Sequence, residues 1–376
     1  MRVRGLLAAV IVTASVPVLM TPAQALVPAY TKVAEYELGA GRITGIDVIG
    51  SSLYAMSSRR TIQGGWLARF KLRTGARVWR SSLDCPGWGP QATGSVVFAQ
   101  GAGCSGGIGS IVALRRSDGA LALATDAHSA AVGEGVAYLA AFGDPTNLGS
   151  GIVRAYDRKG LLLWESDLGS QLFSLRILAA DGNAVYVADD LGVAALSDRD
   201  GSLLWRHNLG PIDSRPDIYA IASDARLLLS GEATGGGGVG SGGSSGPFTL
   251  SMDATTGDIV WTSDGRLGDV ANGIEYETAD SGVIRGDSLV ARSIVDGSVV
   301  WRAESANVLG FSDPIVGAGR VWVRAYDDAA TPEYEVFDAT DGSKLGQAFW
   351  HDVIGVSNGL VFVPRSGGRI VAFRPA

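Results

Sequence analysis

The feature that most constrains this chain is a short motif that recurs along it: a turn glycine, an apolar run and a tryptophan. The motif is fullest in DATTGDIVW at 253–261, and its five tryptophans are Trp79, Trp164, Trp205, Trp261 and Trp301. Two further copies, ending at Leu123 and Gly346, keep the glycine and lack the tryptophan. The glycines recur every 40 to 45 residues, except for one spacing of 56 that contains a Gly/Ser-rich insertion at 234–247. Such a period is typical of a propeller or a related array.

Each period has the pattern of short strands rather than of helices. In the fourth period NAVYVADD, GVAALSD and SLLWRHNL follow one another, each bounded by glycine or aspartate. No stretch of 11 or more residues after the N-terminal segment has the periodicity of an amphipathic helix. The 53 glycines also suit strands joined by tight turns. The sequence therefore predicts an all-β fold.

The strand that precedes each turn occurs eight times, and the last copy is RIVAFR at 369–374. That copy has no outer strand after it, because the sequence stops at Ala376. At the other end TKVAEYELG at 31–39 resembles an outer strand without a blade of its own. We therefore expect an eight-bladed β-propeller of four-stranded antiparallel blades, in which the N-terminal strand completes the last blade and removes the open edge.

Each residue type in the motif has a physical role. Asp253 can accept backbone hydrogen bonds within its own turn, and Gly257 can adopt the positive φ that such a turn needs. Trp261 falls on the outer strand, where burial of its ring would contribute roughly 4 to 6 kcal/mol before entropy is counted. We expect the five tryptophans to be structural. In DATDGSKLG at 338–346, Phe349 or Trp350 is expected to replace the missing ring.

In this pattern the chain resembles the PQQ-like, or quinoprotein-dehydrogenase-like, β-propeller repeat family. DATTGDIVW and DATDGSKLG carry the resemblance most closely, and it extends over essentially the whole chain after the N-terminal segment. The resemblance implies that the five tryptophans dock each blade on the next. The family's dehydrogenases hold pyrroloquinoline quinone and Ca²⁺ in the central channel, against a ring formed by two adjacent cysteines. Here Cys85 and Cys104 are far apart, so no catalytic, cofactor-binding or metal-binding residue is carried over and no cofactor is expected.

The N-terminal segment has the pattern of an export signal. Arg2 and Arg4 precede an apolar stretch, and Ala23-Gln24-Ala25 supplies the small residues of a cleavage site. We therefore expect residues 1–25 to be a signal peptide that is cleaved after Ala25, and residues 26–376 to form a single propeller domain. The mature protein would be secreted or periplasmic, with no membrane span, because no later segment is apolar for long enough.

Net charge and cysteine content indicate which ligands are not expected. Loss of Arg2 and Arg4 with the signal peptide moves the net charge from -7 to -9, which disfavours binding to nucleic acid. Cys85 and Cys104 lack the further ligands of a zinc site, and in an exported protein such a pair is expected to form a disulfide.

A propeller axis can gather residues from different blades, so three isolated histidines and two acidic pairs are candidates for a shared site. We expect the histidines to be structural or solvent-exposed and the acidic pairs to be turn residues, and a shared site is the second interpretation. The residues are His128, His207 and His351, and Asp189-Asp190 and Asp327-Asp328.

The interpretation that follows is a bacterial, exported, non-enzymatic scaffold that acts as a monomer. It would bind a protein or a cell-envelope component through one face of the ring. Two alternatives stay open: an enzyme that uses the central channel, with quinone and Ca²⁺ among its cofactors, and a glycan-binding module that uses Trp66, Trp88 and Trp350.

Overall fold

The computed structural model describes most of the chain, with gaps at several connections. The described residues are 30–58, 64–84, 89–101, 110–127, 129–133, 135–144, 147–157, 159–171, 175–189, 192–209, 219–223, 225–233, 246–279, 288–304, 311–325, 333–348 and 352–375. They contain strands and turns, and no helix in them is long and apolar enough to cross a membrane. The predicted signal peptide and nearly all of the Gly/Ser-rich insertion lie outside them.

The strands form eight sheets of four antiparallel strands, which confirms the predicted eight-bladed propeller. In blades 1 to 7 the four strands follow one another in the chain, from the innermost strand to the outermost. The strands of the first four blades are β2 (Arg42–Ile49), β3 (Ser52–Ser58), β4 (Gly65–Lys71) and β5 (Arg77–Leu83) in blade 1, β6 (Gln91–Thr93), β7 (Val96–Gly101), β8 (Ser110–Arg115) and β9 (Leu121–Asp126) in blade 2, β10 (Ser129–Val132), β11 (Ala137–Asp144), β12 (Asn147–Tyr156) and β13 (Leu162–Gln171) in blade 3, and β14 (Arg176–Ala180), β15 (Ala184–Asp189), β16 (Gly192–Ser197) and β17 (Leu203–His207) in blade 4.

The remaining blades have the same order, except that blade 8 takes its outermost strand, β1, from the start of the described chain. Their strands are β18 (Tyr219–Ser223), β19 (Arg226–Ala233), β20 (Gly246–Asp253) and β21 (Ile259–Ser263) in blade 5, β22 (Gly265–Ala271), β23 (Ile274–Ala279), β24 (Ser288–Ser293) and β25 (Val299–Glu304) in blade 6, β26 (Ile315–Gly317), β27 (Arg320–Ala325), β28 (Glu333–Asp338) and β29 (Lys344–Ala348) in blade 7, and β30 (Gly355–Ser357), β31 (Leu360–Arg365), β32 (Arg369–Pro375) and β1 (Tyr30–Glu37) in blade 8.

The ring is closed by pairing between the two ends of the described chain. Strand β1 runs antiparallel to β32, with Tyr30 opposite Pro375 and Glu37 opposite Arg369. This is the predicted closure, and it leaves the sheet of blade 8 with four strands like the others. The apolar core is correspondingly a series of clusters, several of which combine residues of two neighbouring blades.

The turn motif has the predicted local geometry. Asp253 Oδ1 accepts hydrogen bonds from the backbone N–H groups of Thr255 and Thr256, at 2.9 and 3.1 Å. Gly257 has a φ of 76°, a value that a side chain would disfavour. Its backbone N–H returns to the carbonyl of Asp253, which closes a turn between the third and fourth strands of the blade.

Each of the five tryptophans lies against the turn glycine of the next blade. A methyl group on that glycine would lie only 2.5 to 2.7 Å from the indole, so the close approach requires glycine. Each indole Nε1–H also donates to the backbone carbonyl three residues before the same glycine, at 2.8 to 3.1 Å. The pairs are Trp79 with Gly119, Trp164 with Gly201, Trp205 with Gly257, Trp261 with Gly297 and Trp301 with Gly342.

Two of the three blades without the tryptophan face turns that differ from the rest. Blade 2 carries Leu123 at this position, and the turn of blade 3 that it faces is one residue shorter, because the N–H of Gly160 bonds to the carbonyl of Asp157 rather than four residues back. Blade 7 carries Gly346, and blade 8 has no turn between its third and fourth strands, since these come from opposite ends of the chain. Phe349 and Trp350, the predicted replacements, lie outside the described residues.

At the junction between blades 8 and 1 a tyrosine makes the contact that tryptophan makes elsewhere. The Tyr36 hydroxyl donates to the carbonyl of Leu72, three residues before Gly75, at 2.5 Å. In the alignment of TKVAEYELG with LLLWESDLG, Ala34 occupies the tryptophan position, so Tyr36 is displaced by two residues along the same face of the strand. Burial raises the pKa of Tyr36 to about 12, so the hydroxyl remains a donor at neutral pH.

Candidate functional site

Most of the exposed large apolar residues of the described chain lie on the outer strands, and several of them stand beside the buried tryptophans. The pairing of the third and fourth strands shifts at the residue before each tryptophan, which is left out of register as a β-bulge. This bulged residue is 41 to 52% exposed in all five blades. The bulged residues are Val78, Leu163, Leu204, Val260 and Val300.

The largest such surface is on blades 3 and 4, which are neighbours in the ring. Blade 3 exposes three consecutive leucines and blade 4 exposes two, each at least half exposed. Trp164 links the two sets, because its ring lies on Gly201, two residues before the first leucine of blade 4. We call this surface the leucine rim, and it consists of Leu161, Leu162, Leu163, Leu203 and Leu204.

Strands β13 and β17, which carry most of the leucine rim, are each the last strand of their sheet. Their outer edges therefore present backbone N–H and C=O groups that no strand of the same blade pairs. The charged side chains beside them are paired: Arg154 with Glu165 at 2.8 Å, and Arg206 with the buried Asp189 at 3.0 Å. The rim is thus an apolar surface at a strand edge rather than a charged one.

Acids on the innermost strands near the axis stabilise the ring. Asp47 of β2 accepts the backbone N–H of Ala92 in blade 2 at 2.5 Å, and Asp269 of β22 accepts that of Val316 in blade 7 at 2.9 Å. Burial raises the pKa of both carboxyl groups. In the described part of the chain, no group of three or more His, Cys, Asp or Glu side chains could hold a metal ion.

The junction between blades 5 and 6 contains two fully buried glutamates that the sequence analysis did not single out. Glu275 and Glu277 lie on β23, where blades 4, 7 and 8 have valines. The Arg292 Nη2 donates to Glu277 at 2.7 Å, and the Ser263 hydroxyl of blade 5 also donates to Glu277. Arg292 Nε lies 3.6 Å from Glu275, whose carboxyl oxygens have no hydrogen-bond partner among the described residues.

Two carboxyl groups thus share one guanidinium in a site closed to solvent. Burial, and then the charge of Glu277, raises the pKa of Glu275 to about 9. Glu275 therefore holds its proton at neutral pH, while Glu277 pairs with Arg292. The sequence signal was the pattern IEYETA, in which acids stand at the alternate positions that are valine in AVYVAD.

The candidate residues named from the sequence do not come together in the described part of the structure. His207 ends β17, where its backbone pairs with Val193. Asp189 is buried, paired with Arg206, and accepts the N–H of Gly192 in its turn. Trp66 has the Arg80 guanidinium 4.1 Å above its ring, so that face is covered. Several candidates lie outside the described residues: Cys85, Cys104, His128, His351, Asp190, Asp327, Asp328, Trp88 and Trp350.

Comparison with known proteins places this ring in a family. The family model described as outer membrane protein assembly factor BamB matches residues 63–228 and 249–376. The chain belongs to this BamB family. The match leaves out the whole Gly/Ser-rich insertion at 234–247, and it agrees with the PQQ-like repeat resemblance seen in the sequence. No curated protein sequence matches the chain.

Solved structures similar to this BamB-family chain share its fold at low sequence identity. BamB from Moraxella catarrhalis is 17% identical with a TM-score of 0.61, over 92% of this chain and 98% of that one. The computationally designed protein Ika8 is 15% identical with a TM-score of 0.62, over 91% and 99% of the two chains. Quinohemoprotein alcohol dehydrogenase ADHIIG from Pseudomonas putida HK5 is 12% identical with a TM-score of 0.57, over 92% of this chain and 76% of that one.

Proposed function

We propose that this protein is an extracytoplasmic, non-enzymatic scaffold that binds a protein partner through the leucine rim of blades 3 and 4. The observation that carries the proposal is the presence of five exposed leucines on two neighbouring blades, four of them on outer strands whose edges are open. Clustered exposed apolar residues on a folded protein are a feature of binding surfaces. The family description, an assembly factor for outer membrane proteins, and the N-terminal export pattern support a partner in the cell envelope.

An extended segment of the partner fits this surface best. Such a segment can pair its backbone with the open edge of β13 or β17 and place apolar side chains against the leucines. The inner-strand acids Asp47 and Asp269 accept backbone hydrogen bonds, which favours a scaffold over a channel enzyme. Residues 1–25 would direct the chain across the membrane and be removed after Ala25.

The test is site-specific photocrosslinking in the native cell. A photoreactive amino acid is placed at Leu163 or Leu204 and, as a matched control, at Val300, which is the bulged residue of blade 6 and is also 50% exposed. We expect one and the same partner protein to crosslink from the two leucine positions and not from Val300. No adduct from either leucine position, or equal adducts from all three, would contradict the proposal.

A second variant tests whether the contact is needed for binding. Replacement of Leu163 and Leu204 by aspartate adds charge to exposed positions, so the fold should be kept while partner recovery falls. The corresponding control is Val300→Asp, which should leave recovery unchanged. Melting temperatures of the variants separate lost binding from lost folding.

A further inference from the structure

The turns between the third and fourth strands all lie on one face of the ring. Their charge differs from blade to blade. In blades 5 to 7 acids outnumber bases in these turns, as in DATTGD, SIVDGS and DATDGSK. In blade 1 the turn KLRTGAR carries Lys71, Arg73 and Arg77 and no acid, and all three basic side chains are exposed. Blade 2 adds Arg115 and Arg116. A chain with net charge -7 thus concentrates positive charge on one sector of its rim.

A groove of about 590 Å³ opens within this basic sector, at the junction of blades 2 and 3. This junction has neither the tryptophan nor the full-length turn found elsewhere, so the indole that covers the next turn in five other blades is replaced by the smaller Leu123. The lining residues are Ser95, Arg115, Arg116, Ser117, Leu121, Ala122 and Lys159.

The three cations of the groove differ in how firmly they are held. The Arg116 Nε donates to the Tyr54 hydroxyl at 2.7 Å and its Nη1 to the carbonyl of Gly94 at 2.5 Å, which fixes the guanidinium in place. Arg115 donates from Nε and Nη2 to the two carboxylate oxygens of Asp118, at 3.2 and 3.1 Å, but both side chains are more than half exposed, so solvent screens the pair and a phosphate can compete for the guanidinium. Lys159 is exposed on the short turn of blade 3.

Acidic groups beside the groove are largely engaged with the backbone. Asp118 accepts the N–H of Ala120 in addition to its pair with Arg115. Asp157 accepts the N–H groups of Lys159 and Leu161. Two arginines, a lysine and two serines therefore line one concave surface. Its apolar wall, Leu121, is 62% exposed.

We propose that this groove binds a phosphate group, and that Leu121 contacts the apolar part of the molecule that carries it. Arginine guanidinium groups match phosphate oxygens with two parallel hydrogen bonds, and lysine adds a flexible charge. A phosphate could belong to a lipid headgroup or to a soluble phosphate ester, and both would engage Arg115, Arg116 and Lys159 in the same way. The groove shares no residue with the leucine rim, although the two adjoin at the turn of blade 3, and the inference does not depend on the proposed function.

The experiment measures binding of inorganic phosphate by calorimetry and of vesicles by co-sedimentation. The vesicles contain phosphatidylcholine with or without phosphatidylglycerol. The test variant is Arg115→Gln with Lys159→Gln, because both side chains are exposed and Arg116 is left to hold the turn. The matched control is Arg199→Gln with Arg302→Gln, which removes two exposed positive charges from blades 4 and 6.

We expect the test variant to weaken binding by about tenfold or more and the control to leave it unchanged. Groove-dependent binding of phosphatidylglycerol vesicles would identify a lipid headgroup, and groove-dependent binding of phosphate alone would identify a soluble ester. The proposal is overturned if the parent protein binds neither probe, or if both double variants weaken binding equally. Crosslinking from Leu163 and Leu204 would be unaffected by either failure.

Discussion

At the junction between blades 4 and 5, Trp205 rests on Gly257 and donates to the carbonyl of Ala254. At the junction between blades 2 and 3 both halves of this contact differ, since Leu123 replaces the ring and the carbonyl three residues before Gly160, that of Asp157, already accepts the Gly160 N–H. The comparison shows that the ring and the receiving turn form one unit. The junction between blades 8 and 1 supports this, because a full-length turn is present there and Tyr36 supplies the ring from another position.

The largest effect in this comparison is expected from removing a ring. Trp205→Ala leaves a cavity beside Gly257 and should lower the free energy of unfolding by about 3 to 5 kcal/mol, as for other buried aromatic residues. Leu123→Ala is the matched control, and it should cost clearly less because Leu123 is smaller and only partly buried. Urea denaturation followed by tryptophan fluorescence and circular dichroism measures both. Equal losses of unfolding free energy in the two variants would show that the tryptophan contact stabilises the protein no more than the leucine contact does.

The second effect is a dependence of stability on pH, which is expected from the junction of blades 5 and 6 and distinguishes it from the other tryptophan junctions. The pKa of Glu275 is raised from its ordinary value of 4.5 to about 9. Between these values the folded chain keeps a proton that the unfolded chain has lost, so stability falls as the pH rises. The slope from this group is about 1.4 kcal/mol per pH unit at most.

Glu275→Gln should therefore flatten the pH dependence between pH 6 and 8 and raise the stability, by more at pH 8 than at pH 6, because the unfolded variant has no proton to lose at this position. Glu165→Gln is the control, because its carboxylate is exposed and pairs with Arg154. Melting temperatures across this pH range are the measurement. An unchanged slope in Glu275→Gln would mean that Glu275 is ionised in the folded protein.

A smaller effect is expected where the ring closes. Tyr36→Phe keeps the aromatic ring but leaves the Leu72 carbonyl without the hydroxyl donor, and the loss should be about 1 to 3 kcal/mol. Tyr156→Phe, on the partly buried Tyr156 of β12, is the matched control. Denaturation midpoints of the two variants are the measurement. An unchanged midpoint in Tyr36→Phe would show that packing of the ring, without the hydroxyl hydrogen bond, stabilises the junction between blades 8 and 1.

The smallest effect tests whether ring and turn depend on each other. Leu123→Trp alone should give no gain, because in the short turn of blade 3 the carbonyl of Asp157 already accepts the Gly160 N–H. Insertion of one alanine after Asp157 together with Leu123→Trp should stabilise by about 0.5 to 1.5 kcal/mol relative to the insertion alone. Thermal unfolding of the two single changes and the double change forms the cycle. A gain from Leu123→Trp alone would break the proposed dependence.

The architecture could be predicted because it depends on features repeated along the chain. The spacing of the turn glycines counts the blades, and the unmatched strands TKVAEYELG and RIVAFR predict the closure. The role of Tyr36 could not be inferred from the repeat, because the side chain lies two residues from the tryptophan position and reaches the turn only once the strands are paired.

The candidate surfaces were harder to predict because they depend on departures from the repeat. Glu275 and Glu277 stand out only after strands are aligned between blades. The basic groove combines Arg115 with Lys159 across two turns, and its opening depends on the length of one of them. The leucine rim was visible in LLLW and SLLW, but those runs read as buried strand until the bulge is known to turn their leucines outward. Whether Cys85 and Cys104 form a disulfide stays a prediction.

The pairing of β1 with β32 also determines when the ring can close during synthesis of the chain. Glu35 and Arg369, which bond across this pair, are separated by 334 positions in the chain. At roughly 5 to 20 residues per second, synthesis of the segment between them takes about 20 to 70 seconds. Throughout that interval β1 has no partner and blade 1 has no neighbour on one side. The nascent chain therefore spends most of its synthesis with the edge of β1 unpaired and available for wrong pairing.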